Sequence, residues 1–311
     1  MSDAASPSAT DLLDQANACH DDDVPRGAAL LRGIDPATLP AGQRPTYAFL
    51  LNHVLGEKLG AWAEALGLHR RLLLLPEPAA VLWRQAGAAA LALGDATMAQ
   101  QSAAAYAAAN GVDTARALDV LQLSAAMYQV PGRDADAAAR LTHAAIAPYD
   151  TAAWIAAGPF DSAVAACLNN IASGLLERPL PDLRAPALRE ALRRSADLAH
   201  RFWLRAGTWV NAERALYLRS MVGNALGEAH TARAHALEAL ALLDAHDTAH
   251  AEDVDRAFIE LERAHACTAL GLPEEAAVAT SQAQRLAAAF GDAGLTRWFE
   301  SRRARLASLP A

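Results

Sequence analysis

Apolar positions along this chain recur every three or four residues and almost never alternate. Between residues 164 and 175, Val164, Leu168, Ile171 and Leu175 fall on one stripe of a helix, and Asn169, Asn170, Ser173 and Glu177 fall on the opposite sector. No sustained Val/Ile/Thr alternation marks a strand anywhere. The periodic stretches come in pairs. A glycine closes the first member of several pairs, and an alanine follows five residues later: Gly60/Ala65, Gly94/Ala99, Gly132/Ala137, Gly227/Ala232 and Gly271/Ala276. Glycine terminates a helix in the left-handed conformation, and a small alanine lets the next helix cross closely.

This punctuation predicts antiparallel hairpins over residues 10–33, 43–75, 79–110, 113–147, 160–206, 209–244 and 252–290. A solvating last helix over 292–309 would cap them. The expected fold is therefore all-α: a superhelix (solenoid) of about seven antiparallel helix hairpins with a C-terminal capping helix. Residues 1–9 are expected to be disordered and 10–311 to form a single array, with interruptions at 148–159 and 245–251. The first interruption is a possible sub-division.

Composition agrees. Alanine makes up about a quarter of the chain and leucine is next, both strong helix formers, while aromatics are 5%. With 53% hydrophobic residues over 311 positions, the chain can bury a core and is not a disordered polypeptide. A net charge of -8 argues against a nucleic-acid or anionic-membrane surface. No apolar run approaches the roughly 18 residues of a membrane span. The polar start is unlike a signal peptide, and three widely spaced cysteines (Cys19, Cys167, Cys267) suggest reduced thiols and a cytoplasmic location.

One segment carries a resemblance. Trp83, Ala86-Gly87, Ala90, Gly94 and Ala99 place an aromatic, a small pair, a small residue, the turn glycine and the second-helix alanine in the order of a tetratricopeptide (TPR) repeat. The run Leu168-Asn169-Asn170-Ile171-Ala172 is similar to the Leu-x-Asn-Leu-Ala core of long-repeat TPR proteins. Departures are Ala90, where the family has a large residue, and units longer than 34 residues. The resemblance implies that first helices line a concave groove, and that an asparagine at Asn170 holds a peptide backbone, since an amide both donates and accepts.

Candidate binding residues follow from the polar stripes of first helices. Glu213, Tyr217, Ser220 and Asn224 fall at i, i+4, i+7 and i+11 on an otherwise apolar helix. Asp255, Glu262 and His265 share a face of a later one. With Asn169, Asn170 and the aromatic Trp209, the four residues Glu213, Tyr217, Ser220 and Asn224 form the expected partner-binding set, against the simpler reading that all these polar stripes are solvated helix faces. Tyr149, Trp154, Phe160, Phe202 and Trp203 read as fillers of a core otherwise made of alanine, which lacks volume. The arginines 189, 193, 194, 201 and 205 read as a salt-laced outer face, Glu190 pairing with Arg194 and Asp197 with Arg193 and Arg201. His246 and His250, four apart among carboxylates, are weak metal candidates in a predicted loop.

No phosphate loop, nucleophile elbow or dinucleotide fingerprint occurs. The expected function is a scaffold without catalysis or cofactor that binds a peptide or protein segment. It would bind neither nucleic acid nor membrane, and a homodimer through a terminal repeat is possible. The alternatives are a ligand-responsive sensor acting on another protein in trans, and, behind it, a metal-dependent enzyme.

Overall fold

The computed structural model describes residues 7–309. Among these, fifteen α-helices and a few short 3-10 turns make up the regular structure, with no strand. The helices are α1 (Ala9–Cys19), α2 (Val24–Gly33), α3 (Arg44–Leu50), α4 (Trp62–Leu73), α5 (Ala80–Leu93), α6 (Ala96–Asn110), α7 (Thr114–Gln129) and α8 (Ala135–Ile146). They continue as α9 (Asp161–Leu176), α10 (Pro186–Ala206), α11 (Trp209–Ala225), α12 (Ala229–His246), α13 (Asp253–Ala269), α14 (Pro273–Ala287) and α15 (Ala293–Ala307). The fold is the all-α hairpin array expected. One element was not foreseen: α3 runs on into a π-helical segment, Leu51–Lys58.

Of the N-terminal stretch expected to be disordered, residues 1–6 lie outside the described residues. Ser8 and Ala9 are already structured. The Ser8 hydroxyl accepts from the Asp11 N–H (3.2 Å), and the Asp11 carboxylate accepts from the Ser8 N–H (3.0 Å). This reciprocal box satisfies two donors that open α1.

The chain divides between Arg133 and Asp134 into two compact units, Met1–Arg133 and Asp134–Ala311. The helices of the predicted fourth hairpin, α7 and α8, thus belong to different units. In the first unit α3, α5 and α7 pack on one another in succession as hairpin first helices. In the second, α9, α11 and α13 do the same, while α8 packs on α10. Stacking first helix on first helix is what makes such units repeat arrays.

The turn glycines explain the hairpins. Gly60, Gly94, Gly227 and Gly271 all have positive φ, from 67° to 83°. At Gly94 its own N–H and that of Asp95 return to carbonyls of the last turn, and the Asp95 carboxylate then caps α6 through the Met98 N–H (3.0 Å). Gly132 is the exception: it does not adopt positive φ, and Pro131-Gly132 lies in a turn after Val130.

Packing is close where side chains are small. A Cβ at Gly87 would lie 2.2 Å from Leu121 Cδ2, and one at Gly223 would lie 2.9 Å from the Ala232 backbone nitrogen. The expected fillers Tyr149, Trp154 and Phe202 do form one buried aromatic cluster, with ring centroids 4.6–6.1 Å apart.

The arginine face of α10 differs from its expected intrahelical pairing. Arg194 bonds Asp150 rather than Glu190. Arg201 donates to the Tyr149 carbonyl, and Arg205 to the carbonyls of Trp154 and Ile155 and to Asp161. Asp197 is taken by Arg219 of α11 (2.9 Å). Segment 147–155 carries carbonyls that no helix uses, and α10 satisfies them.

Candidate functional site

The second unit contains a groove of about 700 Å³. Its walls come from α9 (Asn169, Ser173, Leu176), α11 (Arg214, Tyr217, Leu218, Met221), Asp255 of α13, and α15 (Trp298, Ser301, Arg302, Arg305). Three successive first helices therefore supply one side, and the C-terminal helix the other. That size lies within the range of about 300–1,000 Å³ usual for ligand clefts.

The C-terminal helix α15 is held by specific bonds rather than merely solvating an end. Phe299, Arg302 and Leu306 are buried. Phe299 packs on Phe258 with ring centroids 5.4 Å apart, and Arg302 Nε donates to Glu262 of α13 (2.5 Å). Arg305 donates to the carbonyls of Leu176 and Arg178, where α9 ends. A helix C-terminus leaves carbonyls unsatisfied, and a guanidinium is well suited to collect them. Trp298 remains 57% exposed and lies over Phe258 (4.5 Å), an apolar platform at the groove.

The α11 stripe is real, but its members diverge in role. Tyr217 lines the groove with its ring, while its hydroxyl is buried without a partner. Burial first, then the Glu262 charge, push that phenol well above its ordinary range. Glu213 is fully buried. Burial, then the neighbouring Asp255 and Glu252 carboxylates, raise it to about 8 against the weaker pull of Arg214. At neutral pH its carboxyl keeps a proton, while Arg214 pairs with Asp255 (2.7 Å) and Glu252 (3.0 Å).

Ser220 and Asn224 do not face the groove. The Ser220 hydroxyl donates to the Ala232 carbonyl (2.9 Å), fastening α11 to α12. The Asn224 amide donates to both the backbone carbonyl (3.0 Å) and the carboxylate (2.7 Å) of Glu262. The first unit repeats this clasp: Asn52 donates to the backbone carbonyl (2.9 Å) and side-chain Oε1 (2.8 Å) of Gln85. An asparagine on one first helix thus grips one residue of the next. Sequence reading missed Asn52, although Asn52 to Gln85 and Asn224 to Glu262 both span about one repeat.

Of the two adjacent asparagines, Asn169 is half-buried in the groove wall and Asn170 is exposed outside its lining. Trp209 lies at the start of α11, stacked on His246 at the end of α12 (5.5 Å), and does not line the groove. Asp255 lines it, Glu262 lies buried beneath Arg302, and His265 lines a separate cavity with Asn224 and His230. His246 is exposed on the Trp209 ring, and His250 sits in the following turn at φ 57°, 3.3 Å from Asp253. These two histidines are not brought together with a third ligand.

Compared with known proteins, the chain matches no family model and no curated protein sequence. Among the described residues, no helix is long and apolar enough to cross a membrane.

Proposed function

We propose that the second unit binds a short peptide segment of a partner protein in the groove between α9, α11, α13 and α15, as a TPR-like scaffold. The carrying observation is the lining. An exposed indole, a half-buried amide and several guanidinium and hydroxyl groups surround one cleft of ligand-binding size. Trp298 offers an apolar face to a side chain, and Asn169 can donate to and accept from an extended backbone. Arg302, whose buried Nη2 has no hydrogen-bond partner, stands in the same wall. This reading gives the protein no catalytic step, cofactor, nucleic acid or membrane, and puts it in the cytoplasm, where three widely spaced cysteines are at home.

The test is affinity capture from lysate of the source cells, comparing wild type with a folded Asn169→Ala/Trp298→Ala variant. A protein retained by wild type and lost by the variant supports the reading, and identical retained sets reject it.

A second reading, a sensor acting in trans, is favoured by α15 itself. One wall of the groove is a terminal helix held by two arginines, so an occupant competing for Arg302 or Arg305 would shift α15. Ligand-dependent exchange of α15 amides, without change in α9–α13, would favour it.

A further inference from the structure

At the end of α1 in the first unit, His20 and Asp21 meet His53 of the π-helical segment. His20 Nδ1 lies 2.6 Å from the Asn17 carbonyl, which can only accept, so that nitrogen carries the ring proton. His53 Nδ1 lies 2.8 Å from the Glu57 carboxylate and is fixed in the same way. Each neutral ring then presents a bare Nε2, and both point at one carboxylate: His20 Nε2 is 3.2 Å from Asp21 Oδ2, and His53 Nε2 is 3.2 Å from Asp21 Oδ1. Three ligand atoms, one from each residue, thus lie within 4.8 Å of one another. Lys58 approaches Asp21 only loosely, at 3.5 Å.

We propose that His20, Asp21 and His53 bind one divalent transition-metal ion of the zinc class. Ligands around tetrahedral zinc at about 2.0–2.1 Å stand roughly 3.3 Å apart, close to the two separations observed. Two imidazoles and a carboxylate suit zinc or its neighbours rather than calcium or magnesium. The Asn17 carbonyl and Glu57 carboxylate are the outer partners that orient ligating histidines in such sites. Asp21 is 62% exposed, which leaves an entry path and a fourth position for water. His53 reaches the site from a π-helical turn, a distortion frequent at functional positions. The ion would tie the first hairpin to the second, across 33 residues of sequence.

The test uses the full chain, stripped with chelator and desalted, titrated with zinc chloride by calorimetry and with cobalt(II) by visible absorption. One equivalent of zinc should saturate it, and cobalt should give the intense bands of four-coordination. Glu57→Gln should weaken zinc binding by roughly 10–100-fold, and His20→Ala and His53→Gln by more. His246→Ala/His250→Ala should change nothing. His20 caps α1 and is a quarter exposed, so His20→Ala should keep the helical circular dichroism and decides the matter if His53→Gln misfolds. No stoichiometric uptake by wild type, or unchanged uptake by folded His20→Ala, overturns the proposal. The first result would mean that the two rings are simply imidazolium partners of Asp21.

Discussion

Buried polar residues carry most of what distinguishes this protein from a generic alanine-rich helical array. Glu213 shows the cost. Its folded value of about 8 stands above the 4.5 of an ordinary glutamate, so between those two pH values the native state binds more protons than the unfolded chain. Stability from this group is complete below about pH 4.5 and is lost as pH rises through 8. Asp255 and Glu252 face it from the α13 side and Arg214 from its own helix, and none changes that sign. Glu213→Gln, which mimics the protonated form, should gain about 2–4 kcal/mol on wild type between pH 5 and pH 9, read by urea unfolding at both pH values.

The Asn52 clasp makes a second case. His69 Nε2 donates to Asn52 Oδ1 (2.8 Å), and Tyr128 donates to the same Gln85 oxygen that Asn52 uses. Burial pushes His69 down to about 3, so it stays neutral across the physiological range. Asn52→Ala strands the His69 donor and removes both bonds to Gln85. It should cost about 2–4 kcal/mol in equilibrium unfolding. None of this was legible in the sequence as structure. A polar stripe reads the same whether it faces solvent, a ligand or the next helix. The stripe on α11 was found, but only the fold separates Tyr217 in the groove from Ser220 and Asn224 in the helix seams.

Among the elements, helix boundaries were readable because glycine, proline and capping residues have local causes. Apart from the fourth pair, whose helices fall in different units, the hairpins follow the predicted turns, and the second-helix alanine at Ala232 meets Gly223 as a small-residue crossing should. The π-helical run after α3 had no sequence signal, since Leu51–Lys58 is periodic like any amphipathic helix. Crossing and propensity make opposite predictions at two glycines. Gly223→Ala places a methyl against the Ala232 backbone and should destabilise by about 1–3 kcal/mol. Gly67→Ala, on α4 with nothing within 4 Å, should stabilise by about 0.5–1 kcal/mol. Thermal unfolding of both variants checks the pair.

At the scale of the molecule, repetition was legible, but the division into units was not. Between Arg133 and Asp134 the sequence offers one more turn, while the more conspicuous proline-bounded stretch at 148–159 is bound to α10 by Arg194, Arg201 and Arg205. The groove also depended on tertiary structure, because Arg302 and Arg305 lie far along the chain from the residues they meet. The central claim, that this groove takes a peptide, is tested most directly by selecting peptides from a random display library against the full-length protein. The strongest binder is then titrated by fluorescence anisotropy. The account predicts that Asn169→Ala/Trp298→Ala weakens that peptide at least about tenfold, the 1.4 kcal/mol expected of a central contact, while Asn170→Ala and Trp209→Ala leave it unchanged. Equal affinity for all four proteins, or no enriched peptide at all, would contradict it.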